Sequence, residues 1–273
     1  MDRRKFLVTL GGLVVLAGAG ADIYHIYESK QLKPLLVPKA YGTIKYISGV
    51  IDSKYVNFKP GWTVSIPTGR KLAGIVFCMH GFDNNHDMAF SQLQIPQVAG
   101  SLNLNVAVAA VDGGADSYWH KRSDGTDSMT MFISEFIPIV NKLVGNLPQV
   151  MMGWSMGGYG AILATEQFPE DFVGVAPASP AIFLAPGLTA PGAFDSPTDF
   201  YANDVFTGIA KLNNKAIAVA CGTGDPFYNA TKDFVADLKT PYYSYFGPGG
   251  HDAQFWQAAA FKQLTAIRNS LSW

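Results

Sequence analysis

From Tyr41 onward, short unbroken apolar runs alternate with stretches in which apolar residues recur every three or four positions. An unbroken run of four to eight predicts a strand buried on both faces, and the three-to-four spacing predicts an amphipathic helix. On this rule residues 72–79, 105–111, 150–153, 172–175, 217–221 and 242–246 are strands. Residues 88–102, 126–144, 158–166, 226–238 and the tail from 252 are helices. In the second of these, Met129, Phe132, Ile133, Phe136, Ile137, Val140 and Leu143 keep the helical spacing. Residues 47–67 hold two extended runs broken near Lys59-Pro60-Gly61, as in an opening hairpin. Strands alternating with helices imply an α/β chain with a mostly parallel sheet covered on both faces. Residues 181–212 carry Pro186, Pro191 and Pro197 and read as an irregular excursion above the sheet rather than a second domain.

Composition narrows the function. Of 273 residues, 48% are hydrophobic and 15% charged, with a formal net charge of -1, so a large core is expected and global disorder is excluded. No basic cluster lies beyond the first few residues, which argues against a nucleic-acid partner. Cys78 and Cys221 each end a strand-like run and read as buried thiols; a disulfide would need their Cα atoms within roughly 7 Å. No Cys or His spacing suggests a metal site.

The first 21 residues read as an address. Arg3-Arg4-Lys5 precedes an uncharged stretch from Phe6 to Ala21 that ends in small residues. Basic, then apolar, then small is the order of an export signal, and paired arginines followed by Phe-Leu resemble the twin-arginine type. The expected location is therefore the cell envelope or outside it. Membrane contact would come only through this segment if it stayed uncleaved. Residues 22–40, with Pro34 and Pro38, read as a spacer, and the folded domain is expected over 41–273.

The chemistry is carried by Gly153-Trp154-Ser155-Met156-Gly157, a G-x-S-x-G motif between a predicted strand and a predicted helix. On that sharp turn the serine is forced out above the sheet, and the following helix aims N–H groups at it. A serine hydroxyl needs a base. Of five histidines only His251 follows Ser155, and it sits after a predicted strand in Pro248-Gly249-Gly250-His251. The acid is expected after the penultimate strand, which selects Asp225 in Gly224-Asp225-Pro226, with Asp204 second. Asp225 could alternatively cap the helix that follows it. Ser, acid, His is the chain order of the α/β-hydrolase fold. Oxyanion donors are expected at the Met156 N–H and, in Cys78-Met79-His80-Gly81-Phe82, at the Phe82 N–H, with the Gly81 N–H as alternative. His80 is expected to hold that loop. No cofactor or metal is required.

The chain resembles the putative-esterase family of α/β-hydrolases, which includes esterase D (S-formylglutathione hydrolase), feruloyl esterases and the antigen 85 mycolyltransferases. The residues that carry the resemblance are Ser53-Lys54, His80-Gly81-Phe82, Asp112-Gly113-Gly114 with Ser117-Tyr118-Trp119, and the elbow extended by Gly158-Tyr159-Gly160. Gly224-Asp225-Pro226-Phe227 and Gly250-His251-Asp252 with Phe255-Trp256 complete them. The resemblance implies Ser, Asp and His roles at Ser155, Asp225 and His251. The doubled glycine after Met156 is similar to esterase D and unlike antigen 85, while an export signal sits badly with a cytosolic glutathione-dependent role.

Tyr118, Trp119 and Trp154 are the expected substrate contacts, with His120, Lys121 and Arg122 on the same overhanging loop; the alternative is a solvated loop with one buried aromatic. Phe183, Leu184, Phe194, Phe200 and Tyr201 would form either an acyl-pocket wall or plain packing over the sheet. The expected substrate is a small-molecule or cell-envelope polysaccharide ester, hydrolysed through an acyl-enzyme. The alternatives are an envelope acyltransferase, in which a hydroxyl replaces water, and a non-catalytic envelope-binding protein.

Overall fold

The computed structural model describes residues 43–273, together with the backbone alone of three short strands before them (Phe6–Leu10, Leu13–Ala17 and Ile26–Tyr27). The export signal expected over 1–21 and the spacer expected over 22–40 otherwise lie outside the described residues. Eight strands form one sheet: β1 (Ile44–Val50), β2 (Gly61–Pro67), β3 (Gly74–Met79), β4 (Val106–Val111), β5 (Gln149–Trp154), β6 (Gly174–Ala178), β7 (Ala216–Gly222) and β8 (Tyr243–Gly247). Their order across the sheet is β1-β2-β4-β3-β5-β6-β7-β8. β1 pairs antiparallel with β2, and β2 with β4; every other neighbouring pair is parallel.

The central strands read as unbroken apolar runs because both of their faces are buried. In β3, Ile75, Phe77 and Met79 enter one core while Val76 and Cys78 enter the other. The helices are α1 (Met88–Ser91), α2 (Ile95–Ser101), α3 (Ser128–Met131), α4 (Ile137–Val144), α5 (Met156–Gln167), α6 (Pro197–Ala202), α7 (Val205–Gly208), α8 (Tyr228–Asp237) and α9 (Ala253–Leu271). Side chains of α3, α4, α5 and α8 fill the first core, and those of α1, α2 and α9 fill the second. From β3 the chain crosses to β4 on one side and then returns to β5 on the other. At such a switch the loops leaving the strand ends part, so the carboxyl ends of β3 and β5 are where a binding site is expected.

Three sequence expectations need correction. The single helix expected over 88–102 is two short ones, because Gln94 is left-handed (φ 51°) and Pro96 cannot sit in a helix interior. The helix expected over 126–144 contains a π-turn at Phe132–Phe136, just before Pro138, which has no N–H to donate to the preceding turn. The strand expected over 172–175 lies at Gly174–Ala178, where alanines and Pro177 gave the apolar pattern little contrast. Cys78 and Cys221 are both free and buried.

Burial changes the protonation of a carboxyl on α5. Glu166, near the end of α5, is buried, and desolvation pushes its carboxyl up to about 9 against the weaker pull of Lys211. Its Oε1 has no hydrogen-bond partner. Gly208 packs on this carboxyl so closely that a Cβ there would overlap it. A carboxyl whose folded pKa lies above its unfolded value stabilises fully below the unfolded pKa, and that contribution is lost as pH rises toward the folded one. Glu166→Gln is therefore expected to flatten the decline in Tm between about pH 4.5 and 9 and to raise Tm at the alkaline end. Thermal melts of both proteins across that range check this; parallel curves would contradict it.

Candidate active site

The turn between β5 and α5 is built by what cannot fit around it. Ser155 has φ 57° and ψ −126°, a strained conformation for a residue with a side chain. A Cβ on Gly153 would overlap the carbonyl of Gly157, and one on Gly157 would overlap the carbonyl of Met79 in β3. Glycine at both positions lets the elbow close against the sheet. Ser155 donates its N–H to Ala178 O (3.0 Å) and accepts from Ala181 N–H at its own carbonyl (3.0 Å), so β6 and its exit loop fix the turn from the other side.

Two further sheet-end loops bring Asp225 and His251 to this serine. His251 Nε2 lies 2.8 Å from Ser155 Oγ, and His251 Nδ1 lies 2.9 Å from Asp225 Oδ2. All three residues are buried. Asp225 does not cap α8: the helix begins three residues later, and Asp225 Oδ1 accepts the Phe227 N–H (2.8 Å), which turns the loop. Burial alone would raise the Asp225 carboxyl. The neighbouring His251, the Ser179 hydroxyl and the Phe227 N–H outweigh it and hold the carboxyl below its ordinary range. Asp225 is thus ionised beside a ring nitrogen whose opposite nitrogen faces the serine hydroxyl. Asp204, the second choice for the acid, instead caps α7 through the Phe206 N–H (3.0 Å).

Aromatic rings enclose the imidazole. Trp256 meets it edge-on at 5.0 Å between centroids, and Phe227 lies at 5.3 Å on a tilted plane. Both belong to motifs noted in the sequence, although neither was singled out there for a place in the site.

On the β3 side, Gly81 packs directly on Ser155; a Cβ there would sit 3.3 Å from Ser155 Cβ. The Gly81–Phe82 peptide therefore adjoins Ser155. Met156 opens α5, and the first N–H groups of a helix have no carbonyl within the helix to bind. His80 holds this loop. Its Nδ1 faces Gly81 O (2.8 Å) and its Nε2 accepts the Gly113 N–H (2.8 Å), which fixes the Nδ1–H tautomer. Burial lowers the His80 pKa, keeping the ring neutral.

The expected substrate contacts fare differently. Trp154 faces the second core, where its Nε1–H meets Met88 Sδ (3.0 Å), because alternate residues of β5 point away from the first core. Trp119 is wholly buried, with Nε1–H donating to His80 O (3.2 Å) and its ring packed on Gly113 and Gly160. Neither offers a surface to a ligand, and both are corrected to packing residues. Tyr118 is buried but lies in a cluster with Tyr159, Phe183 and Phe194. His120 stacks on Phe194, and Arg122 binds Asp195 through Nε and Nη2 and Gly192 O through Nη2. These residues latch the overhanging loop to the excursion. Phe200 packs inward on Phe194, whereas Leu184 and Tyr201 are exposed.

The sheet order, the strained serine at the elbow and the Ser–His–Asp contacts define an α/β-hydrolase with the architecture of a serine carboxylic-ester hydrolase. The chain belongs to the family described as "Esterase: Putative esterase", whose model matches residues 53–267. Among solved structures it is similar to a ferulic acid esterase (20% identity, TM-score 0.70, covering 82% of this chain and 98% of that one). A fluorophosphonate-binding serine hydrolase of Staphylococcus aureus is similar as well (20% identity, TM-score 0.69, 83% and 99%). So is an S-formylglutathione hydrolase from Agrobacterium tumefaciens (15% identity, TM-score 0.67, 83% and 95%). Among curated proteins, none matches the sequence.

Proposed function

We propose that this chain is an exported esterase that hydrolyses carboxylic esters carrying an apolar acyl or aryl group. The reaction would run through an acyl-enzyme on Ser155. His251 Nε2 takes the hydroxyl proton as Oγ attacks the carbonyl carbon, and Asp225 holds the ring and stabilises the imidazolium. The tetrahedral oxyanion is bound by the Met156 and Phe82 N–H groups. His251 then protonates the departing alcohol. In the second half it deprotonates water, which releases the acid and restores the serine. The observation that carries this reading is the unbroken contact from Ser155 Oγ through His251 to Asp225. Export is supported by Arg3-Arg4 and the uncharged stretch after them.

The apolar preference rests on the rings leading away from His251. Phe227 and Phe183, both half-buried, lie 5.5 Å apart and continue to Tyr118. Each methylene buried against such a wall contributes about 0.8 kcal/mol. The kcat/KM for p-nitrophenyl esters is therefore expected to rise about three- to fourfold per acyl carbon until the wall is filled. A flat or falling series from acetate onward would contradict the apolar site. Product analysis with added alcohols should show free acid as the main product; predominant transesterification would make the chain an acyltransferase.

A further inference from the structure

Residues 178–181 leave β6 and pass behind the nucleophile, binding both backbone groups of Ser155 through Ala178 O and Ala181 N–H. Between these two anchors, Ser179 donates its own N–H to Ala220 O of β7 (2.7 Å). Ser179 is wholly buried and has φ 44°, in the left-handed region that glycine or asparagine adopts more cheaply. A strained residue of this kind persists only where its surroundings over-determine it, and such residues gather at functional sites. The bond to Ala220 O places Ser179 beside Ala220, one residue before Cys221 at the end of β7, from which the acid loop departs. Its buried Oγ completes no hydrogen bond of regular geometry, yet it helps to lower both the Asp225 carboxyl and the Cys221 thiol. A buried hydroxyl left this way is costly unless something nearby uses it.

We propose that Ser179 is a positioning residue, whose hydroxyl is a third donor to the Asp225 carboxylate and whose strained backbone ties the nucleophile elbow to the acid loop. Asp225 Oδ2 already faces His251 Nδ1, and Oδ1 accepts the Phe227 N–H. A carboxylate has about four acceptor sites, so one more donor can be taken. The titratable groups facing Asp225 are His251 and Cys221. Burial, and then Asp225 itself, push the Cys221 thiol up to about 12, so it stays neutral in any working range. His251 is thus the group that reads a change at Asp225. This inference rests on the acyl-enzyme reading above.

The test uses the full chain with Ser179→Ala and Ser179→Gly, and with wild type and Ser155→Ala in the same ester assay. Removing the hydroxyl leaves Asp225 with one donor fewer, so it holds the imidazolium proton more tightly. Both variants are expected to lose about tenfold or more in kcat/KM, and the acidic limb of the kcat/KM profile should move to higher pH. Glycine adopts a positive φ freely, so Ser179→Gly should melt above Ser179→Ala while showing the same limb shift. It also answers the question if the alanine variant fails to fold. An unmoved limb in the glycine variant, whether or not activity falls, would overturn the proposal and leave Ser179 a packing residue. A wild type with no Ser155-dependent turnover would instead remove the acyl-enzyme reading, and the paired controls separate the two failures.

Discussion

Alanine at Ser155 or at His251 is expected to lower kcat by on the order of 10^6-fold, with little change in Tm for Ser155→Ala and a lower Tm for His251→Ala, which leaves the buried Asp225 carboxylate without its partner. Each side chain makes its only catalytic sense through the other: the hydroxyl is inert without the base at 2.8 Å, and the base has nothing to deprotonate without the hydroxyl. The double variant should therefore be no slower than either single one, since groups acting as a unit are strongly non-additive. Asp225→Asn should cost less, on the order of 10^4-fold, because it spoils the tautomer and the imidazolium but leaves nucleophile and base in place. Steady-state turnover of one p-nitrophenyl ester by the four proteins checks this ranking. Additive losses in the double variant would contradict a linked dyad.

Gly157→Ala is expected to be the most damaging conservative substitution in the chain. Its Cβ would overlap the Met79 carbonyl and crowd the His80 carbonyl, both backbone atoms at the end of β3. Backbone at the centre of a sheet cannot move aside as the end of a flexible side chain can. Either β3 shifts relative to β5 or the elbow opens. The first breaks the pairing of Met79 with Gly153, and the second withdraws Ser155 from His251. A loss of roughly 3–5 kcal/mol is expected, as for overpacking against backbone that cannot yield, with activity lost in whatever folds. Gly187→Ala is the matched control, since nothing lies within 4 Å of a Cβ placed there. Urea melts of the two variants should separate them by most of that difference. Equal stability would mean the elbow is not as tightly packed as described.

Much of this site was legible in the sequence because its logic is local. The G-x-S-x-G turn needs a strand before it and a helix after it, and both announce themselves by periodicity. The positions of Asp225 and His251 follow from their places after strand ends in the chain order. What stayed hidden depends on which face a residue takes in three dimensions. Trp154 adjoins the serine in sequence, yet the strand pleat turns its ring into the opposite core. Trp119 lies on an overhanging loop, yet it folds back under His80. Arg122 reads as a loop cation, and its partner Asp195 is 73 residues away. Ser179 gave no signal at all, because the strand was expected to end at residue 175 and only the backbone angle sets Ser179 apart.

The central claim is that Ser155 is an activated nucleophile. It is tested most directly by incubating the full chain with an alkyl organophosphonate probe and mapping the labelled peptide by mass spectrometry. The account predicts one adduct, on Ser155, formed rapidly in wild type, strongly slowed in His251→Ala and absent in Ser155→Ala. A folded protein that took no label, or took it on another residue at an equal rate in Ser155→Ala, would contradict it.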